Sequence, residues 1–581
     1  MSIENLFELV VFFHFTHRRT QFLRLQQVVH EEHSRPCVVL SGLKFLRAFA
    51  PIPPRGKSLC SRRLPSIKTE TVESSGPVTN NFFNDGMRFV FFWFVLVFAG
   101  AAFLLAILSS RIETAAIMGI SGKAKSLRVG FIHPDLGIGG AERLVVDAAV
   151  ALQHHGHSVS IYTSHCSPTH SFVETQDGTL DVKIYGDFLP RSVFGKARAA
   201  CAYIRMLYTA LVMKFWSEHF DIIFCDSISL PVPLLRTGDV PVLFYCHYPD
   251  KYLCVNRASV LKRLYRIPLD TIEERTTLAS DKVFVNSEFT KSVFARAFPG
   301  SGIIPEVLYP ALNLSCFDAP AKHSSLDNCI VPAKNIPRSS TWQYRSDTDV
   351  RRRETMPLNY VLSINRFERK KDIELVLKSF SKLIQKHIVD VSSLELVVAG
   401  GYDPLSVENA EYARELVDLA YKLEIEDKVN FLFSFTDAQK ISLLKSAMCV
   451  LYSPSNEHFG IVPIEAMYCR CPVIAVNSGG PIESIVNGVT GYLCSPEENS
   501  FAEAMERIVG DDSIREGMRE AGRTRVIEKF SLKSFGDQLN SSVVKAYAQR
   551  KGGSVSVSLF FAAALLLLLC STIFSASWRG G

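Results

Sequence analysis

The sequence predicts an α/β fold of two doubly wound domains in tandem, with an apolar membrane segment at each end. Three observations predict it. Short apolar strands alternate with helical stretches from Leu127 to about Tyr309, the same alternation resumes at Tyr360 and runs to about Arg550, and a stretch rich in Pro, Ser and charge separates the two. Strands that alternate with helices imply parallel sheets covered on both faces. A chain of 581 residues also exceeds the size at which one core stops growing, roughly 250 to 300 residues, so two cores are expected.

Residues 1–86 show no sustained helical or alternating pattern and are expected to be a disordered extension. Met87 then precedes FVFFWFVLVFAGAAFLLAIL, 20 residues from Phe89 to Leu108 without a charge. That length spans a hydrocarbon core of about 30 Å, so 87–111 is expected to be a transmembrane helix or anchor. The first domain, 125–315, opens on the strand LRVGFIH and a glycine-rich turn, and continues through HSVSIYT, FDIIFCD, VPVLFYCH and KVFVNS. Residues 316–357 read as a linker or insertion. The second domain, 358–550, carries YVLSINR, LELVVAGG, KVNFLFS, MCVLYSPS and CPVIAVN.

A second apolar run from Leu559 to Phe574 makes 555–574 a C-terminal membrane segment, near the lower length limit for a span. Basic residues flank both runs: Arg111, Lys123, Lys125 and Arg128 after the first, Lys545, Arg550 and Lys551 around the second. This bias favours a cytosolic catalytic region. Glycosylation acceptors at Asn313 and Asn540 would matter only on the lumenal side.

The 64 Lys and Arg against 58 Asp and Glu give a net charge of +6, too weak and scattered for a nucleic-acid groove, so no nucleic acid is expected as a partner. Fourteen cysteines contain no C-x-x-C pair, which fits a reduced compartment rather than a disulfide framework.

Ligands of doubly wound sheets bind beyond the carboxyl ends of the strands, so the cleft between two such sheets is the expected site. In the second domain Ser453 to Glu465 follows directly on a strand, and Pro463 suits the first turn of a helix. This places Glu457 in a loop and Glu465 in the first helical turn, two carboxylates able to accept hydrogen bonds from vicinal hydroxyls. Helix-dipole stabilisation is the structural alternative for Glu465, worth about 0.3 to 1 kcal/mol. In Asn365 to Asp372 the cations Arg366 and Lys371 suit phosphate oxygens. Gly479 and Gly480, followed by Glu483, let a backbone approach a ligand closely.

In the first domain, the loop Asp135 to Arg143 contains Gly139 and Gly140 but is not G-x-G-x-x-G, because Ala141 to Arg143 break the spacing. A dehydrogenase is thereby disfavoured. His247 lies at another strand end and faces the same expected cleft.

Taken together, E-x7-E (Glu457, Glu465) and R-x4-K (Arg366, Lys371) resemble the retaining glycosyltransferase family 4, whose GT-B architecture is two facing doubly wound domains. HPDLGIGGAERLV, YCHYPDKYL, NRFERKKD and SPSNEHFGIVPIEAMYCRCPVIAVNSGGP are similar, within it, to mannosyltransferases that extend the dolichol-linked oligosaccharide at the endoplasmic reticulum. The resemblance covers about Leu127 to Tyr547. It implies GDP-mannose as donor, a mannosylated chitobiosyl-diphosphodolichol as acceptor, and a product with an α-1,3 and then an α-1,6 branch made on the cytosolic face.

The resemblance also assigns roles. Glu465 matches the residue that binds the ribose hydroxyls and Glu457 the one near the donor sugar. Arg366 and Lys371 match the pair that neutralises the departing diphosphate, and His247 matches a histidine near the transferred sugar. Gly139, Gly140, Gly479 and Gly480 complete the expected substrate-binding set. No cofactor and no metal are expected; membrane lipid and other mannosyltransferases of the same pathway are the further partners. Two alternatives stand beside this reading: another family 4 transferase with a different acceptor, and an inert GT-B scaffold that organises partner transferases.

Overall fold

The computed structural model describes residues 126–549, apart from 193–196, 237–239, 255–259, 319–325, 327, 340–341, 345–350 and 387–389. The segments expected at 1–86, 87–111 and 555–574 lie outside the described residues. Among those described, no helix is long and apolar enough to cross a membrane.

The first domain is a seven-stranded parallel sheet in the order β3-β2-β1-β4-β5-β6-β7. Its strands are β1 (Arg128–His133), β2 (Ser158–Thr163), β3 (Asp181–Ile184), β4 (Ile222–Asp226), β5 (Val242–Cys246), β6 (Lys282–Val285) and β7 (Glu306–Val307). Every residue of β4 and β5 is buried, as continuous apolar strands covered on both faces must be. Helices α1 (Gly140–His154), α2 (Val260–Thr277) and α3 (Glu288–Ala297) cover the sheet.

The second sheet runs β14-β13-β12-β9-β10-β11-β8. It comprises β8 (Val331–Pro332), β9 (Asn359–Ile364), β10 (Leu394–Gly400), β11 (Val429–Phe433), β12 (Val450–Tyr452), β13 (Val473–Val476) and β14 (Gly491–Cys494). All pairs are parallel except β8 with β11. Of its helices, α4 (Asp437–Ser446) and α5 (Ile461–Tyr468) bear on the site. Strand order reverses between β1 and β4 in one sheet and between β9 and β12 in the other. These two crevices are where a doubly wound sheet binds ligands.

Two domain boundaries differ from the sequence reading. The last helix, α6 (Leu532–Ala548), falls within 358–550, the expected second domain, yet Phe535, Leu539 and Val543 lie in one core with Val129, Phe131, Leu144 and Leu152 of the first. Polar contacts seal the same face: Lys282 Nζ donates to Ser542 Oγ at 2.9 Å, and the His157 ring meets Asn540 Oδ1 at 2.7 Å. Nor is 316–357 only a linker. Val331, Ala333, Ile336 and Trp342 join the core of the second domain, where β8 extends its edge. The apolar side chains of both segments decide this, because burying them outweighs chain order. The two passages between domains are themselves bonded: Leu312 N donates to Phe530 O at 2.8 Å and Leu532 N to Leu312 O at 3.2 Å.

Candidate active site

In the first domain the crevice between β1 and β4 is closed by one buried carboxylate. Asp226, the last residue of β4, accepts from His133 Nδ1 at 2.7 Å through Oδ2 and from His247 Nε2 at 2.8 Å through Oδ1. Ser227 Oγ donates to the same Oδ2 at 2.8 Å. Burial alone would raise the carboxyl pKa, but the electrostatic pull and hydrogen bonds of the His247 and His133 rings outweigh it and hold Asp226 well below the usual carboxylate range. His133 shifts the other way: burial lowers it, and Asp226 more than restores it, so its pKa is raised.

His247 follows β5 and keeps 21% of its side chain exposed, so its ring reaches from this buried acid to the cleft. Gly139 and Gly140 open α1 on the same side of the sheet; a Cβ at Gly140 would meet nothing within 4 Å.

The second crevice holds a more exposed pair. Lys371, in the turn after β9, places Nζ 2.5 Å from Glu457 Oε2 in the loop after β12. Glu465 is buried, and its Oε1 receives Lys440 Nζ of α4 at 2.9 Å. Burial would lower the Lys440 pKa, but Glu465 and Asp437 raise it, keeping the ammonium charged. Arg366 does not join Lys371: its guanidinium is 63% exposed and pairs with Glu368 at 2.9 Å.

One sequence expectation needs correction here. Helix α5 begins at Ile461, immediately after Gly460 at φ 79°, so Glu465 is its fifth residue and not in the first turn. Dipole stabilisation falls off within the first turn, so it does not account for Glu465. Gly479 and Gly480 approach the chain's own loop. A Cβ at Gly479, where φ is +66°, would sit 2.4 Å from Glu457 O, and one at Gly480 would sit 2.0 Å from Phe459 O. Gly480 N already donates to Glu457 O at 2.8 Å. The pair seats the Glu457 loop against the sheet.

The two halves meet across the cleft. The Tyr248 ring stacks on the His458 imidazole with centroids 3.8 Å apart and planes within 6°. Ser287 Oγ donates to His458 O at 2.6 Å. Glu483 accepts from the first two N–H groups of α3, Glu288 at 2.8 Å and Phe289 at 2.9 Å, and thus caps a helix of the other domain. Burial lowers the His458 pKa, opposed by Glu457 and reinforced by Lys371, Lys370 and His247. Because Tyr248 adjoins His247 and His458 adjoins Glu457, this stack brings both predicted site residues to one cleft.

Glycosyl transferases group 1 is the family model that matches residues 347–525, and Glycosyltransferase Family 4 the one that matches residues 138–315. The α-1,3/1,6-mannosyltransferase ALG2 of Mus musculus is 46% identical over 422 residues, covering 71% of this chain and 95% of that protein. The corresponding protein of Rhizomucor pusillus is 42% identical over 473 residues, 78% of this chain and 99% of that one.

The chain belongs to the α-1,3/1,6-mannosyltransferase family.

It is therefore a glycosyltransferase, and the two-sheet architecture is of the GT-B kind. Sucrose-phosphate synthase from Thermosynechococcus elongatus shares the fold with TM-score 0.54 at 20% identity, over 73% of this chain and 99% of that one. The catalytic domain of starch synthase IV from Arabidopsis thaliana does so with TM-score 0.53 at 14% identity, over 73% of this chain and 100% of that one.

Residues that the family motif does not flag complete the site. Asp226 and His133 end the apolar strands FDIIFCD and LRVGFIH, and a charged residue closing a buried strand at its carboxyl end was the available signal. Lys440 had none; its helix has no polar motif that points to Glu465.

Proposed function

We propose that this family member transfers mannose, with retention, from GDP-mannose to a dolichol-diphosphate-linked mannosyl-chitobiose, forming the α-1,3 and then the α-1,6 branch of the N-glycan precursor. The observation that carries the reading is the Tyr248–His458 stack, which sets the Lys371–Glu457 pair of one domain beside His247 of the other.

Lys371 exchanges Glu457 for the donor diphosphate and neutralises the charge that develops as GDP leaves, joined by the exposed Arg366. Glu457, released, turns to the hydroxyls of the donor sugar, and Glu465 anchors the ribose. The acceptor hydroxyl attacks on the face that GDP leaves, beside His247. Gly139 and Gly140 border the donor at the start of α1. No metal or cofactor is required by this scheme, since cations of the chain itself meet the diphosphate. The enzyme works at the endoplasmic reticulum membrane with its catalytic domains in the cytosol, in the company of other mannosyltransferases of the pathway.

Linkage analysis of the product, after incubating the purified protein with GDP-mannose and the lipid-linked acceptor, tests the proposal. Both α-1,3 and α-1,6 mannose are expected. Absence of transfer to any dolichol-linked acceptor would sink it.

A further inference from the structure

The buried acid in the first domain implies more than a place for His247. An ionised carboxylate only accepts hydrogen bonds, so each ring that meets Asp226 must present an N–H to it, His133 from Nδ1 and His247 from Nε2. In a neutral imidazole the remaining nitrogen then carries a lone pair. For His247 that nitrogen is Nδ1, on a ring that is partly exposed to the cleft, whereas Asp226 is fully buried.

We propose that Asp226 is a positioning residue which, braced by His133, holds His247 in the Nε2–H tautomer and so offers Nδ1 as an acceptor to a sugar hydroxyl in the cleft. The proposal deepens the reading above and rests on His247 acting at the donor sugar.

Charge explains why two rings are present. A lone carboxylate in this volume would leave an uncompensated buried charge, which is strongly unfavourable. A proton on His133 cancels it. His133 is the more buried ring, and Asp226 raises its pKa against the effect of burial. In the proposal the compensating proton belongs to His133, which leaves the Nδ1 lone pair to His247.

The surrounding groups do not reverse this assignment. Glu142 of α1 and a backbone hydrogen bond at Asp135 also favour a charged His133. From β5, the Tyr245 ring packs on His247 with centroids 4.7 Å apart while its hydroxyl donates to Leu308 O at 2.8 Å. Burial keeps the Cys225 and Cys246 thiols neutral. Across the cleft stands His458, itself held below its usual pKa by burial and flanked by Glu457 and Lys371.

The test uses the full-length enzyme in detergent with nitrogen-15-labelled histidine, comparing wild type with Asp226→Asn, His133→Gln and His247→Ala. The His247 signals are assigned by their loss in His247→Ala. Wild type should show the Nε2–H tautomer. In Asp226→Asn the amide can donate where the carboxylate accepted, so the tautomer should change and kcat should fall at least about tenfold with donor KM within about threefold. In His133→Gln the amide still donates to Asp226. At high pH His247 should keep the Nε2–H tautomer, and on acidification it should become the imidazolium sooner than in wild type, moving the acid limb of the kcat profile to higher pH.

His133→Gln also serves if Asp226→Asn fails to fold: an unmoved acid limb in a folded His133→Gln enzyme overturns the proposal. So does an Nδ1–H tautomer in wild type, or a fully active Asp226→Asn beside an impaired His247→Ala. A fully active His247→Ala enzyme would instead remove His247 from the reaction, and the reading beneath the proposal with it.

Discussion

Each sheet sets an acid against a base across its switch point, and the two pairs live in opposite surroundings. His133 and Asp226 have side chains 2% and 1% exposed; Lys371 and Glu457 have 11% and 26%. A buried pair cannot exchange partners without stranding a charge, so the first is a fixed part of the scaffold. The second stands at the cleft, where an incoming anion can take the ammonium and free the carboxylate. In the proposed scheme one pair sets geometry and the other responds to substrate. The difference teaches why the chain needs two unlike domains for one transfer.

The largest effect should come from breaking the exchangeable pair. Lys371→Ala is expected to lower kcat by about 10²- to 10³-fold, the usual result of removing one group that stabilises developing charge. Its melting temperature should move little, since partly exposed ion pairs contribute about 0 to 1 kcal/mol. Steady-state kinetics and thermal melting on the same preparation decide it. A large loss of stability with intact kcat would make the pair part of the scaffold and erase the contrast.

Glu465 sharpens the comparison from inside the second domain. Its carboxylate is buried like Asp226 but is met by Lys440, a lysine on a helix, and not by rings at strand ends. In the proposed role of ribose anchor it would bind donor and transition state alike. Glu465→Gln should therefore raise the donor KM about 10- to 100-fold, the worth of one or two charge-assisted hydrogen bonds, and leave kcat nearly unchanged. A fall in kcat at constant KM would move Glu465 to the reacting centre.

How far the sequence disclosed this arrangement depends on where each signal resides. Both sheets were legible, because a fully buried parallel strand such as Phe224 with its neighbours reads as an apolar run whatever its partners. Glu457 and Lys371 were legible because they sit in loops at the carboxyl ends of strands, where a doubly wound sheet binds its ligands. Asp226 reads locally as the tail of a strand, although a carboxylate ending an apolar run must find a partner. Its pairing with His133, 93 positions away, is a fact of strand order that no local pattern encodes. The α6 crossing and the cap that Glu483 gives to α3 are of the same kind. Each joins segments nearly 200 residues apart or more, and a composition change cannot announce them.

The last prediction returns to the first domain, where a second buried carboxylate shows what the two histidines do for Asp226. Glu273 of α2 accepts from the backbone N–H groups of Asp250 at 2.6 Å and Lys251 at 3.0 Å, just behind the loop that carries Tyr248. Among the described residues no imidazole is recorded against it. Burial, helped by the nearby charge of Asp250, raises its pKa to about 7, against those two hydrogen bonds and the Arg266 charge. Between its usual 4.5 and about 7 the folded state therefore holds a proton that the unfolded chain has lost. Stability must fall as pH rises through that window, the reverse of the sign expected for Asp226. Glu273→Gln keeps an acceptor oxygen and cannot ionise, so its melting temperature should fall less than that of wild type between pH 5 and 7.5. Parallel melting profiles for the two proteins would mean that Glu273 is ionised like a surface acid. Its contrast with Asp226 would then reflect something other than the missing imidazole.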